Sequence, residues 1–462
     1  MSEHDFDVIM IGAGPAGEVC IGRLGEKGLD AALVENHLIG GECSYYACMP
    51  SKALLRPGEL LGEAKRVPGV KQAVTGELDV AAALSRRDEV IHDLDDSSQL
   101  PWLEERDVKL FRGEGRLDGE RRVVVGDEVL TARKAVILGT GSAAAMPPID
   151  GLADVKPWNN RDITTAKRAP ASMVILGGGP VGSEMATAWS AFGTEVALIE
   201  GGDHLLGRDE PFAGEMVAEA MRERGVDVRT GTKAESVRRD ESGQVEVALS
   251  GGDFVRGEEI LVAVGRVPRS KGLGLETVGV ETNEHGYVEV DDRLRASGKD
   301  WLYAIGDLNG RVLLTHMGKY QARVVADNIL GIDVKATEER RGSPHVTFTD
   351  PEVAAVGQTL AAAEDAGIKA RAVDVDTQGN AGGSFFGKGV EGKVRFVVDE
   401  ERRILVGATF VGFETVDMVH AATIAVVGEV PLDRLWHAIP SFPTRSEIWL
   451  DLIQEFGPVG GT

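Results

Sequence analysis

Two cysteines, Cys43 and Cys48, stand five positions apart in the segment GGECSYYACMPSKALL, residues 40–55. Thiols this close in sequence can be oxidised to a disulfide and reduced again, which makes the segment a candidate redox centre. On a regular helix, residues i and i+5 lie about 8–9 Å apart, whereas a disulfide requires Cα atoms about 4.4–6.8 Å apart. An S–S bond here therefore requires a distorted helical turn. The alternative is two unrelated buried cysteines.

A glycine-rich turn precedes this segment and follows an apolar run, DFDVIMI, which predicts a buried strand. Gly12, Gly14 and Gly17 match the pattern GxGxxG, and Glu35 ends the next predicted strand. The glycines permit close approach to a pyrophosphate, the following helix presents its N-terminus, and the carboxylate accepts from ribose hydroxyls. The turn therefore predicts a dinucleotide site. Cys20, inside the following helix, is expected to be a core residue.

The same pattern occurs a second time. Gly177, Gly179 and Gly182 follow the apolar run MVIL, and Glu200 ends the next predicted strand at the same interval as in the first turn. Two such turns predict two dinucleotide sites. A carboxylate at the strand end binds a ribose 2′-hydroxyl and repels a 2′-phosphate, so Glu200 favours NADH over NADPH.

Two further predicted strands end in turns that suit a cofactor. Thr140, Gly141 and Ser142 follow one strand, and Gly306 and Asp307 follow the other. Asp307 is well placed to accept from a hydroxyl of a cofactor's sugar or ribityl chain. The alternative is a helix cap, because a helical pattern begins a few residues later.

Composition limits the class of protein. The chain has 462 residues, enough for about three domains of roughly 150 residues each. Its net charge of −24 argues against nucleic acids and anionic membranes as partners. No apolar run reaches the roughly 18 residues of a membrane-spanning helix, and residues 1–7 are unlike a signal peptide. Three cysteines do not suggest an extracellular disulfide framework, so we expect a cytoplasmic protein.

Taken together, the motifs resemble one family. GGxCxxxxCxPSKxLL after the first GxGxxG, a GTGS turn, the second GxGxxGxE, an AVGRxP strand and AIGD occur in this order. The chain resembles the flavoprotein pyridine nucleotide–disulfide oxidoreductases, the family of dihydrolipoamide dehydrogenase, glutathione reductase and mercuric reductase, over essentially its whole length.

The resemblance implies an α/β fold with two Rossmann-like dinucleotide-binding domains and a C-terminal α+β dimerisation domain. The implied domains are residues 1–150 for the first part of the FAD-binding domain, 151–275 for NAD binding, 276–343 for the second FAD-binding part and 344–462 for the interface.

The resemblance also implies two cofactors, FAD and NAD(H). The residues implied at FAD are Gly12, Gly14, Gly17, Glu35, Gly41, Lys52, Gly115, Thr140, Gly141, Ser142, Gly306, Asp307, Leu314 and Thr315. Those implied at NAD(H) are Gly177, Gly179, Gly182, Glu200 and Gly265.

In such an enzyme, hydride passes from the nicotinamide to the flavin, and electrons pass from the flavin to the disulfide. Cys48 would be the thiolate nearer the flavin, and Cys43 the interchange thiol that meets substrate. Lys52 resembles the lysine that lies against the flavin, and Glu184 its carboxylate partner. A positive charge there favours the anionic forms of reduced flavin and of Cys48. The alternative for Lys52 is a solvated helix lysine.

Two departures from the family pattern bear on the substrate. Disulfide-reducing members carry a His-Pro-Thr motif followed by a glutamate, with the histidine as acid/base. Here the stretch is SFPTRSE, which keeps Glu447 but has Phe442 in place of the histidine. Phenylalanine cannot transfer a proton. His437 stands five positions earlier, either filling the role or serving as a buried or capping histidine.

The second departure surrounds the cysteines. Glu42 precedes Cys43 where threonine is common, and a carboxylate close to that thiol would raise its pKa. Tyr45 and Tyr46 stand between the cysteines, where they either stack on a planar substrate or pack against the flavin domain.

The sequence therefore predicts an FAD- and NADH-dependent oxidoreductase with a redox-active Cys43–Cys48 disulfide, similar to dihydrolipoamide dehydrogenase. Lipoamide turnover should be weak, because losing a general acid/base costs about 10²–10⁴-fold. The alternative is a reductase of quinones or metal ions, with mercury disfavoured because the sequence has no C-terminal cysteine pair. A flavin-bearing scaffold subunit is a third reading, which no lipoyl-type domain or repeat supports.

We also expect a homodimer in which the C-terminal segment of each subunit completes the other's site. The segment offers an apolar set, Phe442, Trp449 and Ile453, around Glu447. In a two-fold arrangement, one such segment would cover each disulfide.

Overall fold

The computed structural model describes residues 2–339, 341–386 and 391–458. The chain forms two compact units. The first contains the residues up to Pro50, then Arg86–Ala145 and Arg266–Glu339. The second contains Ser51–Ser85, Met146–Gly265 and the described residues after 340.

A sheet of seven strands, counted over the described residues, forms the centre of the first unit. Its strand Ser2–Ile11 lies parallel to and between Ala31–Glu35 and Glu128–Leu138. Alternate residues of this first strand fall in two different apolar clusters, so the strand is buried on both faces, as its unbroken apolar run predicts. The remaining strands of the sheet are Val108–Arg112, Gly115–Leu117, Arg122–Val125 and Leu302–Ala304.

Helices of the first unit cover this sheet. Pro15–Glu26 follows the first glycine turn directly and packs against Thr315–Ile329. The shorter elements are the α-helices Gly41–Tyr45 and Leu100–Glu104 and the 3₁₀ turns His92–Leu94, Ser97–Gln99, Leu275–Val278 and Gly306–Asn309. The helices Cys48–Arg66 and Val80–Val90 each have residues in both units.

The described part of the second unit contains three sheets. The parallel sheet consists of Ser172–Leu176, Glu195–Ile199, Asp227–Arg229 and Glu259–Val262. One antiparallel sheet consists of Ala234–Arg239, Val245–Leu249 and Phe254–Gly257. The other consists of His345–Thr347, Glu352–Gly357, Ala370–Asp376, Lys393–Asp399 and Ile404–Gly412.

Helices accompany these sheets. The α-helices are Asn160–Thr165, Pro180–Ala191, Pro211–Glu223, Leu360–Asp365, Val419–Val427, Leu432–Leu435 and Ile448–Phe456. The 3₁₀ turns are Lys71–Ala73, Gly383–Phe386, Val416–Met418 and Arg445–Glu447. Among the helices in the described ranges, none combines the length and the hydropathy that crossing a bilayer requires.

The segment 260–270 is divided between the two units. Glu259–Val262 belongs to the parallel sheet of the second unit, whereas Arg266–Pro268 pairs antiparallel with Ser142–Ala144 in the first. The predicted NAD-binding segment, 151–275, thus contributes its last residues to the first unit. The assignment of the four predicted segments to cofactors stays a prediction.

Glycine is required where helix and strand meet at each turn. A Cβ added at Gly182 would overlap the carbonyl oxygen of Gly177, while one added at Gly179 would meet nothing within 4 Å. We therefore expect Gly182→Ala to destabilise the second unit by about 1–3 kcal/mol through overpacking, and Gly179→Ala to cost less than about 1 kcal/mol. Thermal and denaturant unfolding of the two variants measures the difference. Equal destabilisation would contradict this account of the turn.

Candidate active site

The two cysteines lie at a break between helices. Cys43 is inside the short helix Gly41–Tyr45, and Cys48 is the first residue of Cys48–Arg66. Between them, Tyr46 leaves helical geometry with φ −136°, which supplies the distorted turn that the sequence requires. Both cysteines are thiols and are hydrogen-bonded to each other. The two cysteines are therefore close to each other, as the predicted disulfide requires, and its redox activity stays a prediction.

The hydroxyl of Thr315 lies beside this pair. Its Oγ1 is 3.3 Å from the Cys48 Sγ, and Thr315 is the first residue of a 15-residue helix. The hydrogen bond with Cys48 and burial raise the pKa of the Cys43 thiol, whereas Thr315 and the charge of Lys319 lower it. Thr315 and Lys319 thus offset part of the rise in the pKa of Cys43, which stays above its usual value.

Glu42 is bound by an arginine. Arg269 Nη2 donates to Glu42 Oε1 over 3.1 Å. The strongest causes of the raised pKa of Cys43 are the Cys48 hydrogen bond and burial. Sequence reasoning expected Glu42 to act on this thiol if it were close; its carboxylate is instead engaged in an ion pair.

The tyrosines beside the cysteines are structural. Tyr45 and Tyr46 are both buried and form an apolar cluster with Ile91. The Tyr46 ring stacks on His37, and its hydroxyl lies 2.8 Å from the His37 Nε2. Of the two alternatives for these residues, the packing role is the one observed.

The first glycine turn fits a dinucleotide. A Cβ at Gly17 would overlap the carbonyl oxygen of Gly12, whereas one at Gly14 would meet nothing within 4 Å. Glu35 closes the loop by accepting from the backbone N–H of Ala13 at 2.6 Å. The space beside Gly14, at the start of a helix, is where a pyrophosphate approaches the backbone.

Glu35 also accepts from the backbone N–H of His37, at 2.7 Å. Both carboxylate oxygens are thus fixed by the backbone, and each has a further lone pair to accept from a ribose hydroxyl.

The turns at the other two strand ends meet in one network. Ser142 Oγ donates to Asp307, and Arg266 Nε donates to Ser142 Oγ at 2.5 Å. Arg266 Nε also lies 3.6 Å from Asp307 Oδ2. Thr140 Oγ1 donates to the carbonyl of Arg269 at 2.8 Å. The structure therefore joins Ser142 to Asp307 and ties Thr140 to Arg269. The contacts of these residues with a cofactor stay a prediction.

The second glycine turn repeats the first. Glu200 accepts from the backbone N–H groups of Gly178 and Gly202, each at 2.6 Å. A Cβ at Gly177 would lie 2.5 Å from the Ala263 carbonyl oxygen, whereas the space at Gly179 is open. The same distribution of packed and open glycines suits a second dinucleotide.

Lys52 has a fixed partner in the second unit. Its Nζ donates to the two Glu184 carboxylate oxygens at 2.9 and 2.8 Å and lies 4.5 Å from the centroid of the Phe348 ring. The Phe348 backbone N–H donates to Glu184 Oε1 at 3.0 Å. Lys52 therefore forms the predicted ion pair, while its role at the flavin stays a prediction.

Comparison with known proteins supports one assignment over the length of the chain. Residues 6–322 match the family model described as pyridine nucleotide-disulphide oxidoreductase, and residues 343–453 match the dimerisation domain of that family. The chain belongs to the pyridine nucleotide–disulphide oxidoreductase family. Its members contain FAD and depend on NAD(P), so this chain is an oxidoreductase that binds both kinds of cofactor.

Relatives of this oxidoreductase carry different substrate names. The dihydrolipoyl dehydrogenase of Thermus scotoductus is 32% identical over 450 residues, covering 96% of this chain and 95% of the relative. The mercuric reductase of Staphylococcus aureus is 28% identical over 450 residues, covering 96% and 81%. Among solved structures, the Cu(II) complex of the HOCl-induced flavoprotein disulfide reductase RclA from Escherichia coli has a TM-score of 0.86 at 24% identity, covering 97% and 99%. That likeness shows the fold.

Five other predicted cofactor residues of this oxidoreductase differ in their surroundings. A Cβ at Gly41 would lie 2.8 Å from the Gly14 Cα, and one at Gly115 would lie 2.8 Å from the Val34 Cγ1. Gly115 is therefore needed for packing between strands. The remaining positions are Gly306 at φ +67°, Leu314 before the helix that starts at Thr315, and Gly265 at φ +145°. Their contacts with cofactors stay predictions.

The C-terminal segment contains the residues that the sequence relates to acid/base chemistry. Phe442 is 77% exposed, and Glu447 Oε2 accepts from the backbone N–H of Gly382 at 2.9 Å. His437 is exposed, with its ring edge-on to Trp436 at 4.8 Å between centroids. Glu447 therefore fixes a neighbouring loop of its own unit.

Sequence reasoning missed several contacts of the site. The strand motif AVGRxP contains Arg266 but does not reveal its partner, and no motif marks Arg269, Lys319 or Phe348. Their partners lie far away in the sequence, so no spacing pattern reveals them. The basic residues of GRVPRS, next to a strand end, were the one available signal.

Replacing Thr315 tests the hydrogen bonding of the thiol pair. Thr315→Val is expected to raise the pKa of Cys43 and to slow its alkylation by iodoacetamide about three- to tenfold at neutral pH, since one hydrogen bond contributes about 0.5–1.5 kcal/mol. Rates are measured against pH, with the labelled cysteine assigned by mass spectrometry. The control is Thr423→Val, because the Thr423 hydroxyl is bonded within its own helix to the Val419 carbonyl. Unchanged rates in Thr315→Val would exclude this role of the hydroxyl.

Proposed function

We propose that this oxidoreductase transfers electrons from NADH through the Cys43–Cys48 pair to an acceptor that requires no proton from a C-terminal histidine. The observation that carries the proposal is a pair of neighbouring cysteines beside the Thr315 hydroxyl in a chain whose acid/base position is Phe442. Bound FAD supplies the hydride acceptance and the two-electron transfer to sulfur that the family uses. The chain supplies the positioning of the thiols and of the cofactors.

Each group of residues has a stated task in this proposal. The loop closed by Glu35 binds the FAD pyrophosphate at Gly14, and Asp307 accepts from a cofactor hydroxyl. Lys52, oriented by Glu184, contributes positive charge that favours anionic products of reduction. Thr315 holds the thiol pair and favours its ionised form.

Disulfides, which are reduced to dithiols, are the leading class of acceptor. The relative from Thermus scotoductus is named a dihydrolipoyl dehydrogenase, and the cysteine pair suits thiol–disulfide exchange. Lipoamide itself should be a weak substrate, because phenylalanine cannot protonate the leaving thiolate.

Metal ions and quinones form the second class. They accept electrons without proton transfer from a histidine, which the replacement by Phe442 favours. The Staphylococcus aureus relative is named a mercuric reductase, and the RclA structure is described as a Cu(II) complex. Measuring NADH oxidation with a disulfide, a quinone and a metal ion as acceptor distinguishes the two classes.

We infer that the protein is a homodimer that works in the cytoplasm. The dimerisation domain matches residues 343–453, and large apolar side chains of this region are exposed in the single chain. They are Ile424 at 57%, Trp436 at 53%, Ile439 at 70% and Phe442 at 77%. An exposed apolar set of this kind is typical of a protein interface. Sedimentation of the holoenzyme gives the oligomeric state.

The second cofactor is proposed to be NADH. Glu200 is fixed by two backbone N–H groups, so its charge stands at the strand end where a 2′-phosphate would lie. NADH should exceed NADPH by about tenfold or more in kcat/KM, and Glu200→Ala should mainly raise KM for NADH. Steady-state kinetics with both nucleotides provide the measurement. Equal use of the two by the unchanged enzyme contradicts this role of Glu200.

Restoring a histidine tests the proposed acceptor class. Phe442→His is expected to raise lipoamide turnover by about tenfold or more, since a general acid contributes about 10²–10⁴-fold when well placed. Reduction of the flavin by NADH, followed by stopped-flow absorbance, should not change. The matched control is Ile439→His, at another exposed apolar position of the same segment.

Two outcomes would count against this scheme. A Phe442→His variant with no gain would mean that proton transfer does not limit lipoamide turnover. Full turnover of quinones or metal ions by both Cys43→Ser and Cys48→Ser would mean that electrons leave without the cysteine pair.

A further inference from the structure

One short segment of the first unit binds two carboxylates at the FAD turns. Arg266 is linked to Asp307 through Ser142 and lies 3.6 Å from its Oδ2. Arg269, three positions later, donates to Glu42. Neither arginine is part of the glycine fingerprints. Arg266 begins the strand Arg266–Pro268, which pairs with the strand Ser142–Ala144, and Arg269 follows the end of that strand.

Both backbone polar groups of Arg269 are hydrogen-bonded. Its backbone N–H donates to the Gly141 carbonyl at 3.0 Å, and its carbonyl accepts from Thr140 Oγ1 at 2.8 Å. The guanidinium then reaches the carboxylate of Glu42. Arg269 therefore links the GTGS turn, through its backbone, to the helix of Cys43, through its side chain.

Glu42 stands close to the first glycine turn. The preceding residue, Gly41, lies against Gly14, such that an added Cβ would be 2.8 Å from the Gly14 Cα. Gly14 is the glycine with open space beside it, where a pyrophosphate approaches. Glu42 follows this contact directly, so its carboxylate adds a negative charge one residue from the turn that is predicted to bind the pyrophosphate.

This charge works against cofactor binding unless it is balanced. The pyrophosphate of FAD is an anion, and Glu35, Glu42 and Asp307 add three carboxylates around its turns. Like charges a few ångströms apart repel each other most where water is partly excluded. An arginine bonded to a carboxylate cancels much of that repulsion while it fixes the side chain.

We propose that Arg269 is an FAD-retention residue, which neutralises Glu42 so that the cofactor's pyrophosphate is not repelled, and that Arg266 does the same for Asp307. Both are positioning residues, since they act through the carboxylates. These roles require that the protein binds FAD, as its family does. They do not depend on which electron acceptor the enzyme reduces.

The test measures release of FAD from the purified holoenzyme by the rise in flavin fluorescence on dilution. Arg269→Gln is expected to release FAD about tenfold faster or more at low salt, because Glu42 then loses the positive charge of its arginine partner. The double variant Arg269→Gln/Glu42→Gln should return to within about threefold of the unchanged protein. High salt should reduce the effect of the single change, since it screens the repulsion.

A matched control separates charge balance from general damage. Arg293→Gln removes an arginine that pairs with Asp333 on the surface of the same unit, and FAD release should not change.

The results distinguish this inference from the proposed function. Unchanged FAD release in Arg269→Gln overturns the inference, as does a double variant that loses FAD as fast as the single one. A protein that retains FAD as expected but reduces no disulfide, quinone or metal ion with NADH would instead contradict the proposed function.

Discussion

A carboxylate that closes a glycine loop is the interaction on which both nucleotide-binding turns depend. Glu35 and Glu200 each accept two backbone N–H bonds, one from the loop and one from the residue two positions later. Charge-assisted bonds of this kind are stronger than neutral ones. These bonds fix the loop while space stays open beside its middle glycine. The outer glycines allow the helix to pack closely onto the strand. The same contacts therefore stabilise the fold and shape the ligand site.

Much of this arrangement could be predicted from the sequence. The buried strands and the two glycine turns repeat one local pattern, in which spacing alone decides which residues meet. The distorted turn between Cys43 and Cys48 followed from the reach of a disulfide. Contacts that join distant parts of the chain could not be predicted in this way. The hydroxyl of Thr315 reaches the thiols, and Arg269 reaches Glu42, only because strands and helices far apart in sequence are adjacent in the fold.

The departures from the family pattern have different physical consequences. Glu42 introduces a charge that an arginine in the same unit compensates, so this change is absorbed locally. Phe442 has no group that can transfer a proton, and Glu447 binds the backbone of Gly382. Packing of a phenylalanine cannot supply a proton, so the consequence of this departure for the substrate stays part of the proposal.

The pairing of Arg266–Pro268 with Ser142–Ala144 also limits how the chain can be divided. A fragment cut at the motif boundaries, residues 151–275, would carry this strand away from its partner and leave the backbone N–H and C=O groups of both without hydrogen bonds. Unpaired strand edges promote association between molecules. A separately expressed fragment of this region should therefore end at Gly265, one residue before the strand begins. The residues from Arg266 onward should be expressed with the first unit.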